Sequence, residues 1–301
     1  MADIILHHYP LSPYAEKART ALGIKRAAWR SVIIPVIMPK PDLMPLTGGY
    51  RKTPVMQIGA DIYCDTQLIV RELERRIPSP SFYPAGTRGL ADGIGWWAER
   101  SLFNVAVGVT FAKTGDQLPQ AFRDDRAKFS GRTFDPERTR AAEPRLLADY
   151  RAQLQWLEEN LSGGRAFLLA DQPSAADVAL YHMVWFVRRP RPDLFAKFPL
   201  VSAWADRMKA VGHGAPTEMD AKDALAIAKA ATPSPVKAVH DGSGPALGSQ
   251  VTVAADDSGR DPISGELLSL AADEIVIRRD DPAVGTIHQH FPRVGFVLTA
   301  G

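Results

Sequence analysis

Residues 6–20 read LHHYPLSPYAEKART, and the order of breakers and helix formers in that stretch sets the frame for everything after it. The short β-prone run Asp3 to Leu6 is stopped by Pro10 and Pro13, and a helical pattern begins at about Tyr14, giving strand, loop, helix. Ser12 stands directly before Pro13, a residue pre-set for the first position of a helix, so Ser12 is the expected cap and its hydroxyl lies at the positive helix end. A thiolate placed beside that hydroxyl would be stabilised; from these residues alone, the plainer alternative is that Ser12 only caps the helix. Outward from this unit, Trp29 to Val36 predicts a second strand leading into an irregular, Pro-containing stretch from Met38 to Pro45. The topology so far is βαβ.

Residues 51–73 read RKTPVMQIGADIYCDTQLIVREL. Thr53 to Ile58 and Ile62 to Cys64, separated by a turn at Gly59 to Asp61, have hairpin spacing, and Leu68, Ile69, Leu73 and Ile77 then repeat at helical period. Pro54 opens a short strand, a place where the ring is tolerated and an X-Pro bond can be cis at modest cost. Asp65 and Thr66 stand between strand and helix, at a helix N-terminus whose free N–H groups can hold a carboxylate or simply be capped. An α+β domain over residues 1–80 is expected.

From Thr87 to about Lys229 strand signals nearly vanish, and a helix bundle is expected over residues 87–231. Its clearest members are Leu90 to Lys113, Glu143 to Leu161 and Ala175 to Arg188, with Ser174 and Asp177 spaced as a capping box. Residues 232–247 are rich in Pro, Gly, Ser and Ala and read as a linker, and 248–301 hold short β-type runs, QVTVAADD, ELLSL, DEIVIRR and GFVLTA, expected to form a small all-β module. The 36 basic and 34 acidic side chains nearly cancel, so no overall field draws the chain to nucleic acid or an anionic membrane, and no apolar stretch has membrane-spanning length. The N-terminal MADIILHHYPLSP has no basic segment before a long apolar run, so an unexported protein is expected. One cysteine, Cys64, excludes an intrachain disulfide and fits a reducing cytoplasm; His7 and His8 point to opposite faces of a β-run and His288 and His290 have no third ligand in reach by sequence, so no metal site is expected.

Taken together, strand, SPY helix, KTPV strand, hairpin, acidic-plus-hydroxyl pair, amphipathic helix and an all-helical region with FLLADQPSAADVALY resemble the glutathione transferase family over roughly Asp3 to Leu225. The resemblance implies a thioredoxin-like domain followed by a helical domain, glutathione as co-substrate, a small hydrophobic electrophile as its partner, and a homodimer. It implies that Ser12 donates a hydrogen bond to the glutathione sulfur, that the backbone of Thr53, Pro54 and Val55 pairs with the cysteinyl part, and that Asp65 and Thr66 hold the γ-glutamyl group. Lys52 matches the basic position near the glycyl end, with Arg51 as its neighbour, and Tyr9 ranks behind Ser12 as the hydroxyl donor. Trp97, Arg100, Phe103, Asn104 and Phe111 are candidates for the electrophile side. A second reading keeps glutathione binding without catalysis, in a scaffold that works through the C-terminal strands.

Overall fold

The computed structural model describes residues 3–84 and 86–301; Met1 and Ala2 of the N-terminal segment, and Ala85, lie outside the described residues. Strand β1 (Ile5–His8), helix α1 (Pro13–Ile24) and strand β2 (Ala28–Ile33) form the expected parallel βαβ unit. After α2 (Met44–Thr47), strands β3 (Val55–Ile58) and β4 (Asp61–Cys64) add on antiparallel to β1, and α3 (Thr66–Arg76) closes the thioredoxin-like unit. Strand β2 ends earlier than expected because Pro35 has no N–H to give to a ladder. Helix α1 is buried along nearly its whole length, charged residues Glu16, Lys17 and Arg19 included.

The helical part begins with α4 (Arg88–Trp97), passes through a π-helical turn at Ala98–Leu102, and continues as α5 (Phe103–Thr114). It proceeds through α6 (Gln120–Ser130), α7 (Pro136–Ala141), α8 (Glu143–Leu161), α9 (Ala175–Arg188) and α10 (Pro199–Val211). The capping box at α9 forms with the shorter acid: Asp177 accepts from Ser174 N at 2.8 Å and Ser174 Oγ at 2.6 Å, and its other oxygen takes Leu168 N and Trp204 Nε1. Four donors on one fully buried carboxylate tie α9, the preceding loop and α10 into the bundle core.

A short strand, β5 (Ala215–Glu218), then pairs with the free edge of β2, and α11 (Ala221–Ala230) packs back on the sheet. The sequence shows no sign of β5 because its APTE is exposed at every position, so main-chain pairing alone forms it.

Strands β6 (Gln250–Ala255), β7 (Ile263–Leu270), β8 (Glu274–Asp281), β9 (Gly285–Pro292) and β10 (Phe296–Ala300) form the strand-rich C-terminal region expected from the sequence. They continue the sheet of the first domain. Strand β9 pairs parallel with β4, matching Asp61 to His288, Ile62 to Gln289 and Tyr63 to His290, and one ten-stranded sheet results, ordered β10-β6-β7-β8-β9-β4-β3-β1-β2-β5. The sequence GTIHQHFP is too polar to announce a central strand, yet five of its eight residues are buried. The apolar face of the new strands shares one core with the first domain: Val253, Leu267, Ile277 and Phe291 are buried with Ile5, Val32, Leu46 and Ile62. Contact is close enough that Gly48, at φ +59 after α2, leaves no room for a Cβ beside the Arg279 guanidinium.

The seam carries a buried charge cluster. His290 stacks on Tyr63 with ring centroids 4.5 Å apart, and its nitrogens reach Glu274 Oε1 at 2.7 Å and Asp61 Oδ1 at 3.3 Å. Asp61 also accepts from Ser234 N and Oγ, anchoring the extended 232–247 segment. Burial alone would push the His290 imidazole down, but the two carboxylates outweigh it and hold its pKa above the ordinary 6.5. A raised folded-state pKa means that the stability from this histidine is complete below 6.5 and is lost as pH rises through the folded value. Thermal denaturation across pH 5.5 to 8.5 is therefore expected to show wild type losing more Tm with rising pH than His290→Gln; parallel curves would place no charged histidine at the seam.

Candidate functional site

Ser12 is placed by a short chain of buried polar contacts. Glu16 holds Arg19 at 2.7 Å, and the guanidinium donates to Tyr9 O at 3.3 Å and Pro10 O at 3.0 Å, so the loop entering α1 cannot swing. Ser12 Oγ accepts the Ala15 N–H at 3.1 Å as the N-cap. Accepting uses a lone pair and leaves the hydroxyl proton free to donate. Ser12 is 2% exposed, and it faces a cavity of about 750 Å³ between the thioredoxin-like and helical parts.

The same cavity is lined by Lys52, Thr53, Pro54, Asp65 and Thr66, so the structure brings together five more of the residues singled out in the sequence. The Thr53–Pro54 bond is cis. Val55 does not reach the cavity: it starts β3, pairs with Cys64 and His7, and is fully buried, so the wall is made by Thr53 and Pro54. Asp65 has φ 74 and caps α3 by accepting Gln67 N at 2.9 Å. Thr66 Oγ1 lies 3.4 Å from Glu99, which is paired with Lys17. Burial and the facing Glu99 push the Asp65 carboxyl up, opposed by Lys52, the Gln67 N–H and Lys17. This end of the cavity thus carries an excess of negative charge suited to an ammonium group, beside helix N–H groups suited to a carboxylate.

Lys52, near enough to Asp65 to act on its carboxyl, is held at 2.5 Å by Asp257 of the C-terminal β region. Lys40, which no sequence pattern singles out between Pro39 and Pro41, is the less committed cation. Its Nζ donates to Arg51 O and Thr53 Oγ1, both at 3.0 Å, and one N–H remains. Burial, then Arg126 and Arg51, lower its pKa to about 8. Glu99 also escaped sequence reading; it sits in the π-helical turn, which turns Glu99 and Arg100 toward the cavity. Of the electrophile-side candidates, Arg100, Phe103, Asn104 and Phe111 line the cavity, whereas Trp97 does not and packs on Trp156 at 5.7 Å. Tyr9 and Tyr14 line it too, Tyr14 with its ring 4.9 Å from Phe103 and its pKa driven up by burial, so it stays protonated. Asp257, Ser258, Val294, Gly295 and Phe296, all from the C-terminal β region, are cavity wall too.

A thioredoxin-like unit with a cis-proline edge and a capped helix end, joined to a helical bundle across a shared cavity, defines the glutathione transferase architecture. Residues 6–81 match the glutathione S-transferase N-terminal domain and residues 140–207 the glutathione S-transferase C-terminal domain. A solved GST-like protein from Pseudomonas syringae is 40% identical with a TM-score of 0.81, covering 100% of both chains. The chain belongs to the glutathione transferase family. A glutathione S-transferase from Rhodospirillum rubrum F11 (20% identical, TM-score 0.56, 69% of this chain and 88% of the other) and FzlA from C. crescentus (22%, 0.54, 69% and 88%) share the fold. Among curated proteins none matches the chain.

Asp65→Asn keeps a capping side chain and a residue tolerant of positive φ while removing the opposed charge. Because the folded-state pKa is raised, the ionised carboxylate costs stability at neutral pH and nothing once protonated. The expected result is a higher Tm for the variant at pH 7.5, with the gain shrinking as pH falls toward the ordinary carboxylate range; a lower Tm at pH 7.5 would show that Asp65 is stabilised as an anion.

Proposed function

We propose that the chain binds glutathione in this cavity and activates its thiol for conjugation to an electrophilic small molecule. The observation that supports it most is the convergence of three separate chain segments, the Ser12 hydroxyl, the Thr53–Pro54 edge and the Asp65–Thr66 helix end, on one cavity that also holds the aromatic side chains Phe103, Phe111 and Phe134. In this reading the γ-glutamyl carboxylate lies on Thr66 and the first N–H groups of α3, and its ammonium group lies between Asp65 and Glu99. The cysteinyl main chain runs along Thr53, and the glycyl carboxylate meets Lys40, with Lys52 behind it.

The sulfur then falls near Ser12. Lowering a thiol pKa from about 8.5 to about 7 takes roughly 2 kcal/mol of preference for the thiolate. A hydrogen bond to a charged acceptor contributes about 1.5–3 kcal/mol and a helix N-terminus about 0.3–1 kcal/mol, so one hydroxyl at the end of α1 is sufficient. The thiolate attacks the electrophilic carbon, the C–S bond forms, and the leaving group departs with the electron pair. A scaffold that only held the tripeptide would have no use for open apolar space beside the sulfur, and that space supports the catalytic reading. Detoxification of electrophiles by a cytoplasmic homodimer belongs to the same proposal, and the buried Cys64 is compatible with a reducing compartment.

Ser12→Ala removes the donor and a cap worth about 1 kcal/mol, so folding is checked by circular dichroism first. In the folded variant, kcat is expected to fall about 100-fold with the glutathione KM within about twofold, and the pKa in the pH–rate profile to rise. Unchanged turnover and an unchanged profile would move the role to Tyr9.

A further inference from the structure

Beyond the part of the cavity assigned to glutathione, the walls come from α5, α6, α9 and the chain between α6 and α7. Phe111 is the centre of an aromatic cluster, its ring 5.3 Å from Phe134, 6.2 Å from Phe186 and 6.3 Å from Phe122. Two guanidinium groups, Arg132 and Arg189, line this same end, while Arg126 stands between it and Lys40, whose pKa it lowers. Arg126 lies over Phe122 at 4.9 Å and donates to Val36 O at 2.8 Å. The carboxylate nearest it, Asp125 at 3.9 Å, already holds Arg51 at 2.5 Å. Arg132 and Arg189 are exposed and make no ion pair among the described residues. The carboxylates that line the cavity are committed elsewhere, Glu99 to Lys17 and Asp257 to Lys52, while Asp65 caps α3.

We infer that the second substrate is an aromatic electrophile bearing a carboxylate or sulfonate, its ring against the Phe111 cluster and its acid group toward Arg132 and Arg189. The inference rests on reading the rest of the cavity as the glutathione site. A neutral aromatic compound would bury its ring equally well but would leave the positive charge at this end unanswered. An acid group takes charge-assisted, forked hydrogen bonds from guanidinium. Tripeptide and acid-bearing electrophile would then be bound by opposite ends of one cavity, with the reacting carbon between the aromatic cluster and Ser12.

The test is calorimetric titration of the full-length protein, without glutathione, using 4-chloro-3-nitrobenzoate and its uncharged analogue 4-chloro-3-nitrobenzamide. Without thiol neither probe reacts, so binding is read apart from catalysis. The acid is expected to bind about tenfold tighter than the amide, and the preference to vanish in the double variant Arg132→Gln, Arg189→Gln, whose exposed positions leave the fold intact. Equal affinity for the two probes, a preference that survives in the double variant, or binding of neither would overturn the inference. A charge preference of the expected size in a protein that conjugates no electrophile would support it and would sink the catalytic reading instead.

Discussion

The pairing of β9 with β4 is the contact on which the rest of the structure depends. A thioredoxin-like unit ending at β4 would present an open sheet edge, with unpaired N–H and C=O groups inviting another strand. Here the chain supplies that strand itself. Because β9 lies next to β4, β8, β7, β6 and β10 are carried across one face, and their apolar sides complete a core that α2 and α11 alone would cover incompletely. The aromatic contacts among Tyr50, Phe291 and Phe296 show how directly the two halves interlock, since Tyr50 and Phe296 are also cavity wall. The C-terminal strands are therefore part of the site's architecture, and the full-length similarity to the Pseudomonas syringae protein extends through them.

The same arrangement distributes charge. The loop after β6 sends Asp256 to Arg100 at 2.6 Å and Asp257 to Lys52 at 2.5 Å, and the Gly259 N–H donates to Phe129 O at 2.8 Å. Three contacts from one loop thus connect the C-terminal strands to both sides of the cavity. Their net effect is to neutralise two cations of the cavity wall, Arg100 and Lys52, while the Asp65 carboxylate stands at the start of α3 and two guanidinium groups, Arg132 and Arg189, stand at the aromatic end. A cavity polarised in this way distinguishes ligands by where they carry charge more than by size.

The parts of this account that were legible in the sequence are those whose signals are local. Pro13 after Ser12 marks the start of α1, the hairpin spacing marks β3 and β4, and Ser174 with Asp177 marks the start of α9; all stand where the pattern puts them. What was hidden depends on contacts distant in sequence. Strand β9 is made central by its neighbours and not by its own polar composition, and Glu99 and Asp257 reach the cavity through a π-helical turn and a loop that no periodicity announces. Lys52 shows the limit of reading a site from motif alone: the residue is in the cavity as expected, yet a carboxylate more than two hundred positions away already occupies it, leaving Lys40 as the freer cation.

If one sheet and one core span both halves, β4 and β9 must open together. Native-state hydrogen exchange on the intact chain measures this most directly, by comparing the opening free energies of the Ile62 and Tyr63 amides with those of Gln289 and His290 across a denaturant series. A single cooperative unit predicts that the two sets converge on one opening free energy and one dependence on denaturant. Exchange of the β9 amides through an opening several kcal/mol easier than that of β4, with β4 unaffected, would show a C-terminal module that comes away by itself and would contradict the account.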